Sequence, residues 1–273
     1  MAELLTRPVT HDRSLLPLQV QDLTVRYDGT TALQALTFRL AAGARVAVVG
    51  PNGAGKTTLL KVLAGAMRPS SGSVAVYGHK PGGHVCIAYV PQRSQVDWVF
   101  PVTVAEVVMM GRIRRIGLFR FPRRADWEVV DRALERIGMA PHKGMRIGEL
   151  SGGQQQRVFL AQALAQEAEL ILLDEPLTGL DLPSQEAIFS LLDELKEQGI
   201  PVMVATHDLN LAAERFDPIL LINRRLVAIG PARAVLTREH LKETYGDHIH
   251  LLPETEGMLV LTDTCCEGGE EGG

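Results

Sequence analysis

One eight-residue stretch, Gly50 to Thr57, limits what this chain can fold into more than any other. It has the pattern G-x-x-x-x-G-K-T, it follows the β-branched run 45–49, and helical spacing follows it. A strand that leads through a glycine-rich turn into a helix points several backbone N–H groups at one anion. The stretch therefore predicts a phosphate-binding loop, in which Lys56 reaches the β- and γ-phosphates of ATP and Thr57 ligates Mg²⁺.

Short apolar runs on both sides of this loop predict a sheet. Runs 45–49, 170–173 and 201–205 are typical of buried parallel strands, and a helix from near Pro183 to Gly199 separates the last two. Alternating runs at 18–27 and 35–40, divided by a turn at Asp28-Gly29, and runs at 73–77 and 85–90 predict further strands. The pattern predicts an α/β fold with a parallel-sheet P-loop NTPase core and an antiparallel β subdomain.

The middle of the chain has helical spacing instead. Apolar residues recur at three- and four-residue steps in 104–110, 125–137 and 154–165, which predicts an inserted α-helical subdomain over about 94–165. We expect one nucleotide-binding domain over 18–245, after a loose leader, 1–17, that Pro8 and Pro17 interrupt. The tail, 246–273, ends in glycine and glutamate and is expected to be partly disordered.

Composition narrows the class of protein. The 273 residues are 46% hydrophobic, and no apolar run approaches the length of a membrane span. The N-terminus lacks the apolar centre of a secretion signal, and three cysteines, Cys86, Cys265 and Cys266, do not make a disulfide framework. The net charge of −4 gives no general attraction for nucleic acid. We therefore expect a cytoplasmic protein whose membrane role, if it has one, comes through a partner.

Two carboxylates follow the strand at 170–173. Asp174 and Glu175 stand at the carboxyl end of that strand, where ligands collect in parallel sheets. We expect Asp174 to hold Mg²⁺ through water, which leaves Glu175 to orient or deprotonate the attacking water. Taken alone, Asp-Glu-Pro after a strand is usually a solvated turn or a helix start. The phosphate-binding loop favours the catalytic interpretation.

His207 follows the next strand, 201–205, at the same edge of the predicted sheet. A lone histidine is more often a surface or capping residue. Its place at the start of a helix where ligands collect favours contact with the γ-phosphate.

A second glycine motif, Leu150-Ser-Gly-Gly-Gln154, opens a helix. Ser151 is a good N-cap, and the glycines expose backbone N–H groups to an anion. Simple capping is the alternative. Capping alone does not need two glycines, and a chain with one phosphate loop has little use for a second of its own. The motif therefore predicts a loop that closes over ATP held by another copy.

These motifs resemble the nucleotide-binding subunit of ATP-binding-cassette transporters, over about residues 18–245. Tyr27 stands where that family places an aromatic ring on adenine. Gln92 resembles its glutamine that senses the γ-phosphate and Mg²⁺, and Leu180-Asp181 resembles its loop that crosses between subunits.

The resemblance implies a head-to-tail pair of cassettes that binds ATP and Mg²⁺ and closes on two integral membrane permease subunits at the inner face of the cell membrane. Hydrolysis assisted by Glu175, His207 and Gln92 would reopen the pair. Thr57, Gln92 and Asp174 would hold the metal. The nucleotide-binding residues that the resemblance implies are Tyr27, Gly50, Pro51, Asn52, Gly53, Ala54, Gly55, Lys56, Thr57, Thr58, Ser151, Gly152, Gly153, Gln154 and Asp181.

A finer resemblance concerns the cargo. Residues 96–104 and 108–112, which include Trp98 and Phe100, look like the cassettes of bacterial manganese, zinc or iron importers. The permeases of that group receive metal from an external binding protein. The alternative is that both aromatic residues pack the helical subdomain. An importer of an iron chelate or cobalamin-like compound remains open, as does a soluble cassette acting on DNA or the ribosome, which would be expected to carry two cassettes or a coiled-coil insertion.

The tail departs from the family. His248, His250, Cys265 and Cys266 are zinc-ligand types, but their spacing fits no standard structural zinc pattern. A solvated tail is the favoured interpretation.

Overall fold

The computed structural model describes residues 12, 14–27, 29–81, 87–92, 100–117 and 120–246. The predicted leader and the predicted tail therefore lie mainly outside the described residues, as do Trp98, Cys86 and all four of the tail's histidines and cysteines. In the described ranges the strands are β1 (Leu18–Tyr27), β2 (Thr30–Leu40), β3 (Arg45–Val49), β4 (Ser71–Ala75), β5 (Ile87–Val90), β6 (Leu170–Asp174), β7 (Val202–Thr206), β8 (Ile219–Asn223) and β9 (Arg225–Gly230).

Helices connect most of these strands. They are α1 (Lys56–Leu63), α2 (Val104–Met110), α3 (Ile113–Ile116), α4 (Arg124–Arg136), α5 (Gly152–Ala165), α6 (Leu182–Glu197), α7 (Leu209–Arg215), α8 (Ala232–Val235) and α9 (Arg238–Tyr245). Short 3₁₀ turns occupy Ala140–His142 and Ile147–Glu149. Among the described residues, no helix is both long enough and apolar enough to cross a bilayer.

The central sheet has the order β5-β6-β7-β3-β8-β9, and only the edge strand β9 runs antiparallel to its neighbour. The register pairs Val49 of β3 with Thr206 of β7, and Asp174 of β6 with Ala205 of β7. The carboxyl ends of β3, β6 and β7 therefore meet at one edge of the sheet, which is where parallel sheets bind ligands.

The central sheet is buried on both faces, which explains its unbroken apolar strands. Ala47 and Val49 of β3 pack into one core with the helical subdomain and α6. Val46 and Val48 point the other way, into a second core with α1 and the antiparallel sheet. Alternate residues of one strand thus serve two cores, so a polar residue at any of these positions would be buried.

The antiparallel sheet has the order β2-β1-β4. The strand predicted over 73–77 is shifted, because β4 runs from Ser71 to Ala75 and so begins two residues earlier than expected. Gly72 has φ +83°, and a Cβ there would lie 2.3 Å from the carbonyl oxygen of Asp22. The glycine therefore belongs to the strand and lets it approach β1 at an irregularity in the pairing.

The helical subdomain contains α2, α4 and α5, which pack against one another in the first core. Thr103 caps α2 in a capping box with Glu106, as the sequence chemistry favours. Ser151 is the N-cap of α5, as predicted, so the helix begins at Gly152, two residues before the helical spacing of 154–165. The predicted fold class, a P-loop core with an antiparallel subdomain and a helical insertion, is confirmed.

Candidate functional site

A cavity of about 990 Å³ opens at the carboxyl edge of the central sheet. It brings together the glycine-rich loop, Gln92 just beyond β5, and the residues after β6 and β7. Its lining is Ala32, Gly50, Pro51, Asn52, Gly53, Ala54, Gly55, Lys56, Thr57, Thr58, Gln92, Glu175, His207, Asp208, Leu209, Asn210 and Tyr245.

The glycines of the loop meet different constraints. A Cβ on Gly50 would lie 2.1 Å from the carbonyl oxygen of Ile222, and one on Gly55 would lie 2.5 Å from Leu33 Cδ2. Gly53 has φ +79°, but a Cβ there would meet nothing within 4 Å. Gly50 and Gly55 are therefore required for packing, whereas Gly53 supplies the turn and leaves its face open to the cavity.

Lys56 begins α1 and is buried, with 7% of its surface exposed. Its Nζ donates hydrogen bonds to the carbonyl oxygens of Gly50 at 2.6 Å and Pro51 at 3.1 Å. Burial lowers the pKa of this amine, and the carboxylates of Glu175 and Asp174 oppose that shift. The ammonium is thus held beside the loop in a cavity whose remaining charges are negative.

Asp174 ends β6 and is 1% exposed. Its Oδ2 accepts a hydrogen bond from the Tyr89 hydroxyl at 3.2 Å, whereas its buried Oδ1 has no hydrogen-bond partner among the described residues. Burial raises the pKa of the Asp174 carboxyl, and the hydroxyls of Thr57 and Tyr89 offset part of the rise. A carboxylate oxygen without a partner, close to a threonine hydroxyl, fits a hard cation such as Mg²⁺.

Glu175 follows Asp174 in a left-handed backbone conformation, with φ +50°. Its backbone N–H donates to the Ala205 carbonyl oxygen at 3.0 Å, which holds this uncommon conformation. The carboxylate accepts a hydrogen bond from Gln92 Nε2 at 2.8 Å, and its other oxygen lies 3.7 Å from Nδ1 of His207. Three of the predicted residues from three strand ends therefore meet around one carboxylate.

His207 is placed by the cap of α7. Asp208 is the N-cap, and its side chain accepts a hydrogen bond from the Leu211 N–H at 2.9 Å. The Asp208 N–H in turn donates to Thr206 Oγ1 at 3.1 Å. The imidazole remains 56% exposed at the mouth of the cavity.

The second glycine motif lies outside the cavity lining. Ser151 and Gln154 form a capping box at the start of α5, so capping is part of its role. A Cβ on Gly153 would lie 3.0 Å from Ser184 Oγ and 3.6 Å from Leu180 Cδ2. Capping alone does not need two glycines, but packing does account for Gly153, which lies against α6 close to Asp181, the N-cap of that helix.

Tyr27 also lies outside the lining. It ends β1, is 40% exposed and donates its hydroxyl hydrogen bond to Met67 Sδ at 2.7 Å. Its role toward adenine stays a prediction.

Comparison with known proteins decides the family. The model of the ABC transporter family matches residues 33–178, which run from β2 past the two carboxylates and include the second glycine motif. The chain belongs to the ABC transporter family. The predicted family membership and ATP hydrolysis are confirmed.

Named relatives of this ABC chain cover nearly all of it. It is 43% identical over 88% of its length, and over 96% of the relative, to the manganese transport system ATP-binding protein MntB of Bacillus subtilis (strain 168). It is 45% identical over 86% of its length, and over 81% of the relative, to the chelated iron transport system membrane protein YfeB of Yersinia pestis.

Solved ABC structures share the fold. An inward-facing ABC transporter assigned to the metal-chelate type is 35% identical with a TM-score of 0.77, over 87% of this chain and 90% of that one. The cbiO1 subunit of the cbiONQ complex from Clostridium perfringens is 29% identical with a TM-score of 0.70, over 84% of this chain and 93% of that one.

Sequence reasoning missed five residues of the cavity in this ABC chain. Ala32 of β2, Asp208, Leu209 and Asn210 at the start of α7, and Tyr245 at the end of α9 line it. Helix α9 is held by a hydrogen bond from Asn223 Nδ2 to the Thr244 carbonyl oxygen, 2.8 Å, and by an ion pair between Arg225 and Glu243. The helical start at 206–208 was a usable signal for α7, whereas only tertiary packing brings Tyr245 to the cavity.

Proposed function

We propose that this chain is the ATP-hydrolysing subunit of an importer for a divalent metal ion: manganese, zinc or iron. The observation that carries ATP hydrolysis is the grouping of Gln92, Glu175 and His207 at the phosphate-loop cavity, whereas the cargo is supported by the names of the relatives. Such a grouping suits the attack of water on a terminal phosphate.

ATP would bind with its phosphates along the loop 50–58, where the backbone N–H groups and the start of α1 favour negative charge. Lys56 would exchange its bonds to the Gly50 and Pro51 carbonyl oxygens for bonds to the β- and γ-phosphates. Tyr27 would supply the stacking surface for adenine. The separation of this tyrosine from the cavity lining means that the stacking proposal rests on family resemblance alone.

Mg²⁺ would be held by Thr57, Gln92 and Asp174, the last through water. Among the described residues Oδ1 of Asp174 has no hydrogen-bond partner, and the Thr57 hydroxyl lies close to this carboxyl, which supports the assignment. Bound there, the ion would neutralise charge on the phosphate oxygens.

Glu175 would accept a proton from the attacking water as the water oxygen bonds to the γ-phosphorus. The bond from that phosphorus to the bridging oxygen breaks, and ADP leaves with inorganic phosphate as the second product. Gln92 orients the carboxylate through the hydrogen bond at 2.8 Å. His207, with its imidazole 56% exposed, would contact the γ-phosphate.

A second copy would complete the site. The backbone N–H groups at Ser151, Gly152 and Gly153, with Gln154, would contact ATP held by the partner, and Asp181 would cross between the copies. The placement of this motif away from the chain's own cavity supports the head-to-tail pair. ATP then acts as the clamp that closes it.

The names of the relatives support the cargo. MntB belongs to a manganese transport system, which favours a metal ion, and YfeB belongs to a chelated iron system, which keeps a chelate importer as the second candidate. Membrane permease subunits would be direct partners and an external metal-binding protein an indirect one. The chain would then lie on the cytoplasmic face of the membrane, and its net charge of −4 gives nucleic acid no advantage as a partner.

The cargo test compares cells that carry the native chain with cells that carry Glu175→Gln. Both are grown in metal-poor medium, and their manganese, zinc and iron contents are read by mass spectrometry. A selectively lower content of one metal in the Glu175→Gln cells would identify the ion and show that it is imported. Equal contents of all three metals in the two strains would contradict import of a free metal ion and turn the search to chelates.

A further inference from the structure

Strand β5 and the second residue after it contact the carboxylates of Asp174 and Glu175. Tyr89 donates a hydrogen bond to Asp174 Oδ2, and Gln92 donates one to Glu175 Oε2. The parallel pairing of β5 with β6, which sets Val90 opposite Leu173, fixes the backbone on which both contacts depend. The Gln92 contact already has a place in the proposed reaction, whereas the Tyr89 contact does not.

Because of the Tyr89 contact, the two oxygens of Asp174 differ in their hydrogen bonding. Oδ2 is occupied by the phenol at 3.2 Å, and Oδ1 is left buried with no hydrogen-bond partner among the described residues. A half-turn about χ2 only exchanges two equivalent carboxylate oxygens, so it leaves the bond from Tyr89 in place, whereas a turn of about 90° would break that bond. The phenol therefore fixes the plane of the carboxylate, with one oxygen bonded to Tyr89 and the other left available.

We propose that Tyr89 is a positioning residue for the metal of the ATP site, which acts by holding the Asp174 carboxylate so that its other oxygen would be free to hold Mg²⁺ through water. The inference rests on the proposed nucleotide site. Carboxylates that take part in metal sites are themselves held by hydrogen bonds, and the loss of such support typically weakens metal binding by 10- to 100-fold.

Simple packing is the competing explanation, because the Tyr89 ring is half-buried against the second core. Tyr89→Phe separates the two roles, since it keeps the ring and removes only the hydroxyl. Tyr77→Phe is the matched control, because Tyr77 is a buried tyrosine beside the antiparallel sheet and outside the cavity lining.

The experiment measures binding of a fluorescent ATP analogue to the full-length chain, first in EDTA and then as Mg²⁺ is titrated. Direct Mn²⁺ binding in the presence of ATP is followed by electron paramagnetic resonance. For Tyr89→Phe we expect unchanged affinity in EDTA and about a tenfold higher Mg²⁺ concentration at half-saturation, with a matching loss of Mn²⁺ affinity. At saturating Mg²⁺, kcat should return to within about twofold of the native value.

An unchanged Mg²⁺ midpoint in Tyr89→Phe would overturn the proposal, as would an equal shift in Tyr77→Phe. Adding Tyr89→Phe to Asp174→Asn should cause no further shift, and additive effects in that pair would also contradict it. Failure of the native chain to bind the analogue even in EDTA would instead refute the nucleotide site itself. Melting temperatures check that each variant is folded.

Discussion

Replacing Glu175 by glutamine tests the proposed base with little change in shape. The side chain keeps its length, so the amide oxygen still accepts the hydrogen bond from Gln92 that the native chain forms at 2.8 Å. The left-handed backbone at φ +50° and the bond to the Ala205 carbonyl oxygen are also retained. The substitution removes one proton acceptor and one negative charge.

The loss of the proton acceptor and the loss of the negative charge set the expected effects on hydrolysis and on ATP binding. A positioned general base contributes about 10²- to 10⁴-fold, so we expect Glu175→Gln to slow single-turnover hydrolysis by that factor, or about 3–5 kcal/mol of activation free energy. ATP binding should persist or tighten, because the Glu175 carboxylate adds to the negative potential around Lys56 where the phosphates would lie. The variant should therefore hold ATP without turning it over and accumulate as a pair of chains.

Rapid-quench hydrolysis, nucleotide binding and light scattering measure the three effects separately. Glu128→Gln is the control, because Glu128 lies on α4 in an exposed pair with Arg124, away from the cavity. Hydrolysis by Glu175→Gln within about tenfold of the native rate would refute the assignment of the base. Full loss of ATP binding would show instead that the carboxylate is needed to build the site.

Three further changes test the cavity. Lys56→Ala should weaken ATP binding itself in an equilibrium titration, because the ammonium offsets phosphate charge in the ground state. Asp174→Asn should raise the melting temperature of the nucleotide-free chain at pH 7. Burial raises the pKa of the Asp174 carboxyl, so ionisation of this group costs stability as the pH rises through that pKa. The difference in melting temperature between variant and native chain should vanish below pH 3.8, the ordinary pKa of the group. In denaturant titrations we expect Gly50→Ala to lower the free energy of unfolding by about 3 kcal/mol or more, because the added Cβ would lie 2.1 Å from the Ile222 carbonyl oxygen. This loss is at or above the usual ~1–3 kcal/mol for overpacking. Gly53→Ala should lose only about 1–2 kcal/mol, since open space leaves just the left-handed backbone cost. Equal losses at the two glycines would contradict the packing argument.

The fold was largely predictable because its signals are local. Strands β3, β6 and β7 contain unbroken apolar runs, as expected for strands buried on both faces of a sheet. Helices α2, α4 and α5 instead show helical spacing of their apolar residues. The predicted strand bounds were wrong where close backbone approach decides the structure, as at Gly72, which lies before the predicted strand 73–77 but belongs to β4. A run such as Ile219–Asn223 was a usable strand signal that the sequence reasoning passed over.

The site was predictable to the extent that its chemistry follows strand ends. The sequence placed the loop, Glu175 and His207 at one edge, and the structure brings them together with Gln92. No sequence spacing brings Tyr245 to the same cavity, because α9 reaches it through contacts with β8 and β9. Tyr89 likewise lies 85 positions from Asp174, and only the pairing of β5 with β6 makes them neighbours.

The glycines and serine of the second motif, Leu150 to Gln154, have different surroundings in the structure. Gly153 is tightly packed against Ser184, so its presence is explained within one chain and supports no partner. Ser151 and Gly152 differ, because Ser151 is exposed and Gly152 is half-buried at the open end of α5. The Ser151 N–H already donates to Gln154 Oε1 at 2.9 Å, whereas the Gly152 N–H lies in the first turn, where a helix has donors without internal partners. The two-copy proposal therefore depends on the exposed start of this helix and on the absence of the motif from the chain's own cavity lining.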